Sequence, residues 1–262
     1  MDVVDLREFY RSDLGVVTAK LIGRKLAGFV KPAAAQTVMG MGYATPYLQQ
    51  LAPASALTIS FMLAQQGVTH WPDNAQNRSA LVDASDLPLL ESTVDLALVV
   101  HGLEFADTPL DSLQEIWRVM APQGRLLLVV PNRRGLWAAS EATPFGHGQP
   151  FSRGQLAGLL KDAKYSITQW RSALCLPPLK NPGFLKAAPA IEAMAERAFP
   201  RLSGVTIVEA MKQVYAFSSG KRVRRTLQRF SPVLLPSPQP NQRETGELNV
   251  SQQRFTGGPN SV

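Results

Sequence analysis

The stretch "VDLALVVHGLEFADTPLDSLQEIWRVMAPQGRLLLVVPN", Val94 to Asn132, decides the fold. Val94–Val100 is almost continuously apolar, as a strand covered on both faces must be. Leu110, Leu113, Trp117 and Met120 then recur at helical spacing. Thr108 suits the N-cap of that helix and Pro109 its first turn. The "PQG" step, Pro122 to Gly124, ends it, and Arg125–Val130 reads as a second buried strand. Strand, helix and strand in this order imply a right-handed crossover in a mostly parallel sheet.

The same alternation extends in both directions. Thr37–Met41, Ala56–Phe61 and Ser79–Val82 read as strands before it, with a helix opening at Pro46 and running to Leu51. After it comes the loop Pro131–Ser152, long for a connection, and such loops often form lids. Ser152 caps a helix to about Ala163, Tyr165–Leu176 holds a strand, Ile191–Ala198 is helical, and Val205–Ala216 is a final strand. Near the N-terminus Leu6, Phe9, Tyr10, Leu14, Val17, Leu21, Leu26 and Phe29 fall at helical spacing, with a break expected at Gly15. Three segments result: an N-terminal helical segment, 1–31; an α/β domain, 32–217; and a tail, 218–262.

The chain has 262 residues, 45% hydrophobic and 18% charged, enough apolar material for one full core. Its formal charge is +7, of which the stretch after Ala216 supplies +5. Basicity is thus a property of the tail, which suits weak contact with nucleic acid or another acidic partner. Proline, glutamine and serine dominate that tail, so disorder is expected there, with room for a short basic helix at Lys221–Phe230. One cysteine excludes an internal disulfide, and three histidines without close spacing argue against a metal site. Asp2, Asp5 and Glu8 oppose a signal peptide. No apolar run reaches the roughly 18–20 residues of a membrane span. A cytoplasmic protein is the expectation.

In parallel sheets a ligand sits at the carboxyl ends of the strands, near the point where strand order reverses. The first such place is "QTVMGMGYATPYLQQL", Gln36 to Leu51. Gly40 and Gly42 permit positive φ and close approach of a ligand to the main chain, although a structural turn accounts for two glycines equally well. The second is Asp83, at the end of a buried strand. Its carboxylate can accept a purine amino N–H while the Ala84 N–H donates to a ring nitrogen; as a lone residue it fits a turn equally well. The third is His101, just past the strand Val94–Val100, where it is a general-base candidate or a hydrogen-bonded wall residue. Glu104 is placed either to orient it or simply to form the turn. Phe145 and His147 in the long loop, with Trp71, are candidates for a substrate pocket or lid.

Two runs, "VDASDLPLLESTVDLALVVHGLEF" from Val82 and "LQEIWRVMAPQGRLLLVVPN" from Leu113, resemble the class I S-adenosylmethionine-dependent methyltransferases, especially those acting on small molecules. They are similar to that family's acid after strand three, its "D-L-P" step, its "H-x-L-E-H" strand end, and its "E-x-x-R-V-L-K-P-G-G-x-L" helix and strand. The resemblance implies a Rossmann-like sheet of seven strands, mostly parallel with an antiparallel last strand. It also implies S-adenosylmethionine as cofactor and a small-molecule acceptor. Gly40, Gly42, Tyr43, Ala44, Ser60, Asp83, Ala84 and His101 are the cofactor-binding positions it marks.

The chain departs from the family at two of these places. The family's first turn is commonly "V-L-D-L-G-C-G-T-G-Y-L", and Val38–Leu48 reads "VMGMGYATPYL". Gly40 replaces the acid, only Gly42 keeps a motif glycine, and Ala44 and Pro46 replace the other two. The second strand, in "ALTISFMLAQQGV", ends without the acid that grips the ribose, leaving Ser60 as a neutral substitute. Two lost carboxylate contacts cost about 1.5–3 kcal/mol each, or about two to four decades of affinity together. A catalytically inactive relative, acting as a binding or regulatory partner, is therefore the alternative to an enzyme.

Overall fold

The structure, a computed structural model, describes residues 1–29, 37–52, 57–198 and 202–213. The segment boundaries near 31 and 217, the last residues of the expected final strand, and the whole tail with its expected helix lie outside the described residues.

Seven strands form one sheet in the order β3-β2-β1-β4-β5-β7-β6. They are β1 (Thr37–Gly42), β2 (Leu57–Leu63), β3 (Ser79–Val82), β4 (Val94–Val100), β5 (Met120–Pro131), β6 (Tyr165–Ala173) and β7 (Val205–Lys212). Neighbours from β3 to β5 pair in parallel. β7 runs antiparallel to both β5 and β6. The expected mostly parallel sheet with an antiparallel last strand is what the chain forms, and strand order reverses between β1 and β4.

Alternation along the strands sorts side chains onto two faces. Val38, Leu96, Leu98, Val100, Leu127 and Val129 pack on one, against α1 (Val3–Arg11), α2 (Asp13–Ala27), α3 (Thr45–Leu51) and α6 (Pro182–Ala198). Met39, Met41, Ala97, Val99, Leu126 and Leu128 pack on the other, against α4 (Pro109–Val119) and α5 (Arg153–Asp162). Each Val, Leu or Met among them, once fully buried, contributes about 1.5–3 kcal/mol before entropic costs. Among the described residues no helix is long and apolar enough to cross a membrane.

Several local expectations need correction. The N-terminal helix breaks at Ser12, not Gly15: the Ser12 side chain caps α2 by accepting the Gly15 N–H. Gly15 serves the packing of the two helices instead, since a Cβ there would lie 1.8 Å from the Phe9 carbonyl oxygen. Thr108 starts α4 without a side-chain cap bond. Helix α4 ends at Val119, so the "PQG" step belongs to β5. Helix α6 begins nine residues before the expected Ile191, with Pro189 inside it. Ser152 does cap α5, in a capping box with Gln155.

The connection from β2 to β3, residues 64–78, contains no helix. Helix α1 covers that region. The Val3 N–H donates to the Gln66 carbonyl at 2.7 Å, and Val3, Leu6 and Tyr10 share a cluster with Met62 and Trp71. The N-terminal helix is thereby drawn to the carboxyl edge of the sheet.

Candidate functional site

The turn after β1 sits directly on the end of β4. Gly42 has φ +73, and a Cβ on it would come within 2.4 Å of the Val100 carbonyl oxygen. The Tyr43 N–H donates to that same oxygen at 2.7 Å. Gly40 does not face the turn. It lies buried in β1, where a Cβ would approach Leu48 Cδ1 to 2.7 Å and Ala44 Cβ to 3.0 Å. The missing side chain lets α3 pack against the strand, so Gly40 and the fully buried Ala44 are packing residues. Ser60 does not stand at the end of its strand. It stands inside β2, paired with Gly40 and Ser79, and its buried hydroxyl has no partner among the described residues.

Past β4 lies a closed polar cluster. His101 is 1% exposed with φ 50. Its Nδ1 lies 3.2 Å from Glu104 Oε1 and its Nε2 2.9 Å from the Tyr10 hydroxyl. The Tyr10 hydroxyl is in turn 3.1 Å from that of Tyr47. In the tautomer whose Nδ1–H donates to Glu104, Tyr10 donates to Nε2 and Tyr47 donates to Tyr10. Burial, then the neighbouring Tyr47, pushes the Tyr10 phenol well above its ordinary range, so it stays protonated. Gln66 Nε2 donates to the His101 carbonyl at 2.8 Å. The Tyr10 ring stacks on Tyr43 with centroids 5.5 Å apart. Phe145 closes the other side, 4.8 Å from the His101 ring.

The long loop is therefore no detached flap. Trp137 and Phe145 are buried in the core, and Trp137 Nε1–H donates to the Leu176 carbonyl at 2.7 Å. The Gln149 N–H donates to the Glu104 carbonyl at 2.8 Å, tying the loop to the end of β4. His147 lies apart from the cluster, its Nε2–H donating to the Glu141 carbonyl at 2.9 Å.

Two clefts flank the closed centre. The smaller, about 170 Å³, lies at the ends of β2 and β3 and is lined by Gln65, Asp83, Ala84, Thr108 and Ser112 among others. Asp83 is exposed, and its Oδ1 accepts from the Ser85 N–H at 2.8 Å and the Ser85 hydroxyl at 2.7 Å. These bonds hold its carboxyl below the usual range. The larger, about 610 Å³, lies between α1 and the segment after β2; Tyr43 and Trp71 line it.

The structure thus brings Tyr43, His101 and Phe145 together around Tyr10, puts Asp83 and Ala84 at one cleft, and puts Trp71 at another. Gly40, Ala44, Ser60 and His147 stand outside these groups. Tyr10, Tyr47 and Gln66 escape a reading of the sequence. Tyr10 fits the apolar stripe of its helix, and nothing in its spacing reveals that its hydroxyl reaches a residue 91 positions away.

Comparison with known proteins agrees with this architecture. Residues 38–128 match the family described as "Methyltransferase domain". Over 89 residues, 33% of this chain, the sequence is 33% identical to demethylmenaquinone methyltransferase of Chlamydia muridarum, and the match spans 39% of that protein's length. A solved S-adenosylmethionine-dependent methyltransferase of Thermotoga maritima, described as a possible histamine N-methyltransferase, has a similar fold. Its TM-score is 0.56 and its identity 15%, over 80% of this chain and 96% of that one. The [4+2]-cyclase SpnF is also similar, with a TM-score of 0.53 and 20% identity over 74% and 80% of the two chains. The chain carries the class I S-adenosylmethionine-dependent methyltransferase fold, as the run from Val82 to Asn132 implies. That a cyclase shares it shows why activity must be argued from the site and not from the fold.

The cofactor of that class meets this site unevenly. At the end of β3 an exposed carboxylate beside a small open cleft suits a purine. Above β1 and β4 the Tyr10 ring, Gln66 and the Gly42 turn fill the space, and a cleft of about 170 Å³ falls short of the roughly 300–1,000 Å³ usual for ligand pockets. With α1 seated, the residues fit the purine end and do not fit the sulfonium end.

Proposed function

We propose that the chain is an S-adenosylmethionine-dependent methyltransferase acting on a small-molecule acceptor, and that the closed arrangement of α1 is its resting state. The observation that supports this most is the cleft at Asp83 and Ala84, within a segment, 38–128, that matches a methyltransferase domain. Binding then requires Tyr10 to leave His101. The freed His101, held by Glu104 at 3.2 Å, is the base available to an acceptor hydroxyl or amine. S-adenosylmethionine, when bound, would supply an activated methyl group, and this chain's own part would be to align the acceptor.

A specific observation favours a second reading, a non-catalytic relative. The Tyr10–His101, Tyr10–Tyr47 and Gln66–His101 bonds fill the crevice with the chain's own groups, and both family acids are absent from the sequence. Calorimetric titration with S-adenosylmethionine separates the two. Binding to the wild type or to Tyr10→Ala, weakened at least tenfold by Asp83→Ala in the same background, supports the enzyme. No heat from either protein at millimolar ligand supports the non-catalytic relative.

A further inference from the structure

The larger cleft shares no lining residue with the purine cleft and meets the His101 cluster only through Tyr10 and Tyr43. Tyr10 is the partition, with its hydroxyl toward His101 and its ring on the cleft wall. At about 610 Å³ the cleft lies within the usual range for small ligands. Tyr10, Tyr43 and Trp71 give it an aromatic wall, which suits a flat apolar body. Arg7 and Arg11, one helical turn apart on α1, line it together with His70.

The charges around it are unbalanced. Arg7 makes no ion pair among the described residues. Arg11 meets only Asp73 among them, at 3.9 Å with both side chains more than half exposed, and such a pair exchanges its anion at little cost. Asp73 is the one acid on the lining, against two guanidinium groups and an imidazole. Guanidinium forks match the paired oxygens of a carboxylate or phosphate. Two guanidinium groups and an imidazole beside one carboxylate make the lining favour an anionic group over a sulfonium.

We propose that the cleft between α1 and the segment after β2 binds a planar aromatic small molecule bearing a carboxylate or phosphate group. The aromatic body lies against Tyr43 and Trp71, and the acidic group meets Arg7 and Arg11. Because α1 supplies both arginines and Tyr10, a ligand held there also holds α1 in place. The proposal does not rest on S-adenosylmethionine binding.

The test is calorimetric titration of the full-length protein, without S-adenosylmethionine, using 2-naphthoate, 2-naphthyl phosphate and neutral 2-naphthylmethanol. At least one acid should bind tenfold or more tightly than the alcohol, and should raise Tm in proportion to its occupancy. The preferred acid tells a carboxylate site from a phosphate site. Arg7→Met with Arg11→Met should remove the preference. Lys20→Met with Arg24→Met removes the same charge from α2, away from the cleft, and should keep it. Equal binding of acid and alcohol, binding of neither acid, or a preference that survives loss of Arg7 and Arg11 would overturn the proposal. A protein that fails to bind S-adenosylmethionine can still pass this test, and one that binds it can fail.

Discussion

At the β2–β3 end of the sheet's carboxyl edge, Asp83 is exposed and bonded to Ser85, two residues on. At the β1–β4 end, His101 is buried and bonded to Tyr10, 91 residues away. The first arrangement is local, so a short stretch of sequence specifies it. The second exists because α1 covers a crossover that lacks its own helix, and it comes with the packing of the N-terminus. One edge of a single sheet therefore keeps an open cleft at one end and an internal polar core at the other.

If that contrast is right, the two ends should respond differently to substitution. The largest effect is expected under the closed end. Trp137→Ala removes a fully buried indole and its bond to Leu176, and should cost about 3–5 kcal/mol in chemical denaturation. A loss below about 1 kcal/mol would mean that the long loop is not part of the core. Gly42→Ala comes next. With φ +73 and a Cβ 2.4 Å from the Val100 carbonyl oxygen, it should cost at least about 1–2 kcal/mol. Gly158 in α5 has nothing within 4 Å of its would-be Cβ, and Gly158→Ala should stabilise by about 0.5–1 kcal/mol. Similar effects at both glycines would break the assignment of the β1 turn.

Smaller effects sharpen the picture. Tyr10→Phe keeps the stacking on Tyr43 and removes only the hydroxyl shared with His101 and Tyr47. It should cost about 1 kcal/mol, read as a lowered denaturation midpoint with unchanged slope. Cys175 is buried beside Glu192, and its thiol is pushed up to about 12, first by burial. A thiol reagent at pH 8 should leave the native protein unmodified and react fully after unfolding. Rapid reaction of the native protein would show that α6 does not cover this site. Asp83→Ala should leave Tm unchanged, because its bonds lie within an exposed turn.

Much of the fold was legible because apolar alternation is a local signal. The runs Val94–Val100 and Arg125–Val130 follow from it, Ser152 marks the start of α5, and the antiparallel course of β7 was implied only by the family resemblance. The start of α6 was hidden by Pro189, which reads as a helix breaker yet sits inside the helix. At the site, Asp83 and Trp71 were legible as cleft residues and the His101–Glu104 pair as a pair, since each signal is short in sequence. Ser60 misled because the register of β2 places it inside the sheet and not at its end. At Gly40 the sequence does not separate two roles, because a glycine that seats a helix on a strand looks the same as one that admits a ligand.

The central claim is that Tyr10 occupies the sulfonium end of the crevice. The most direct measurement is the affinity of wild type and Tyr10→Ala for S-adenosylmethionine, compared by calorimetry with both proteins verified as folded. The variant should bind at least tenfold more tightly. Equal affinities, weaker binding by the variant, or binding by neither protein would contradict the account.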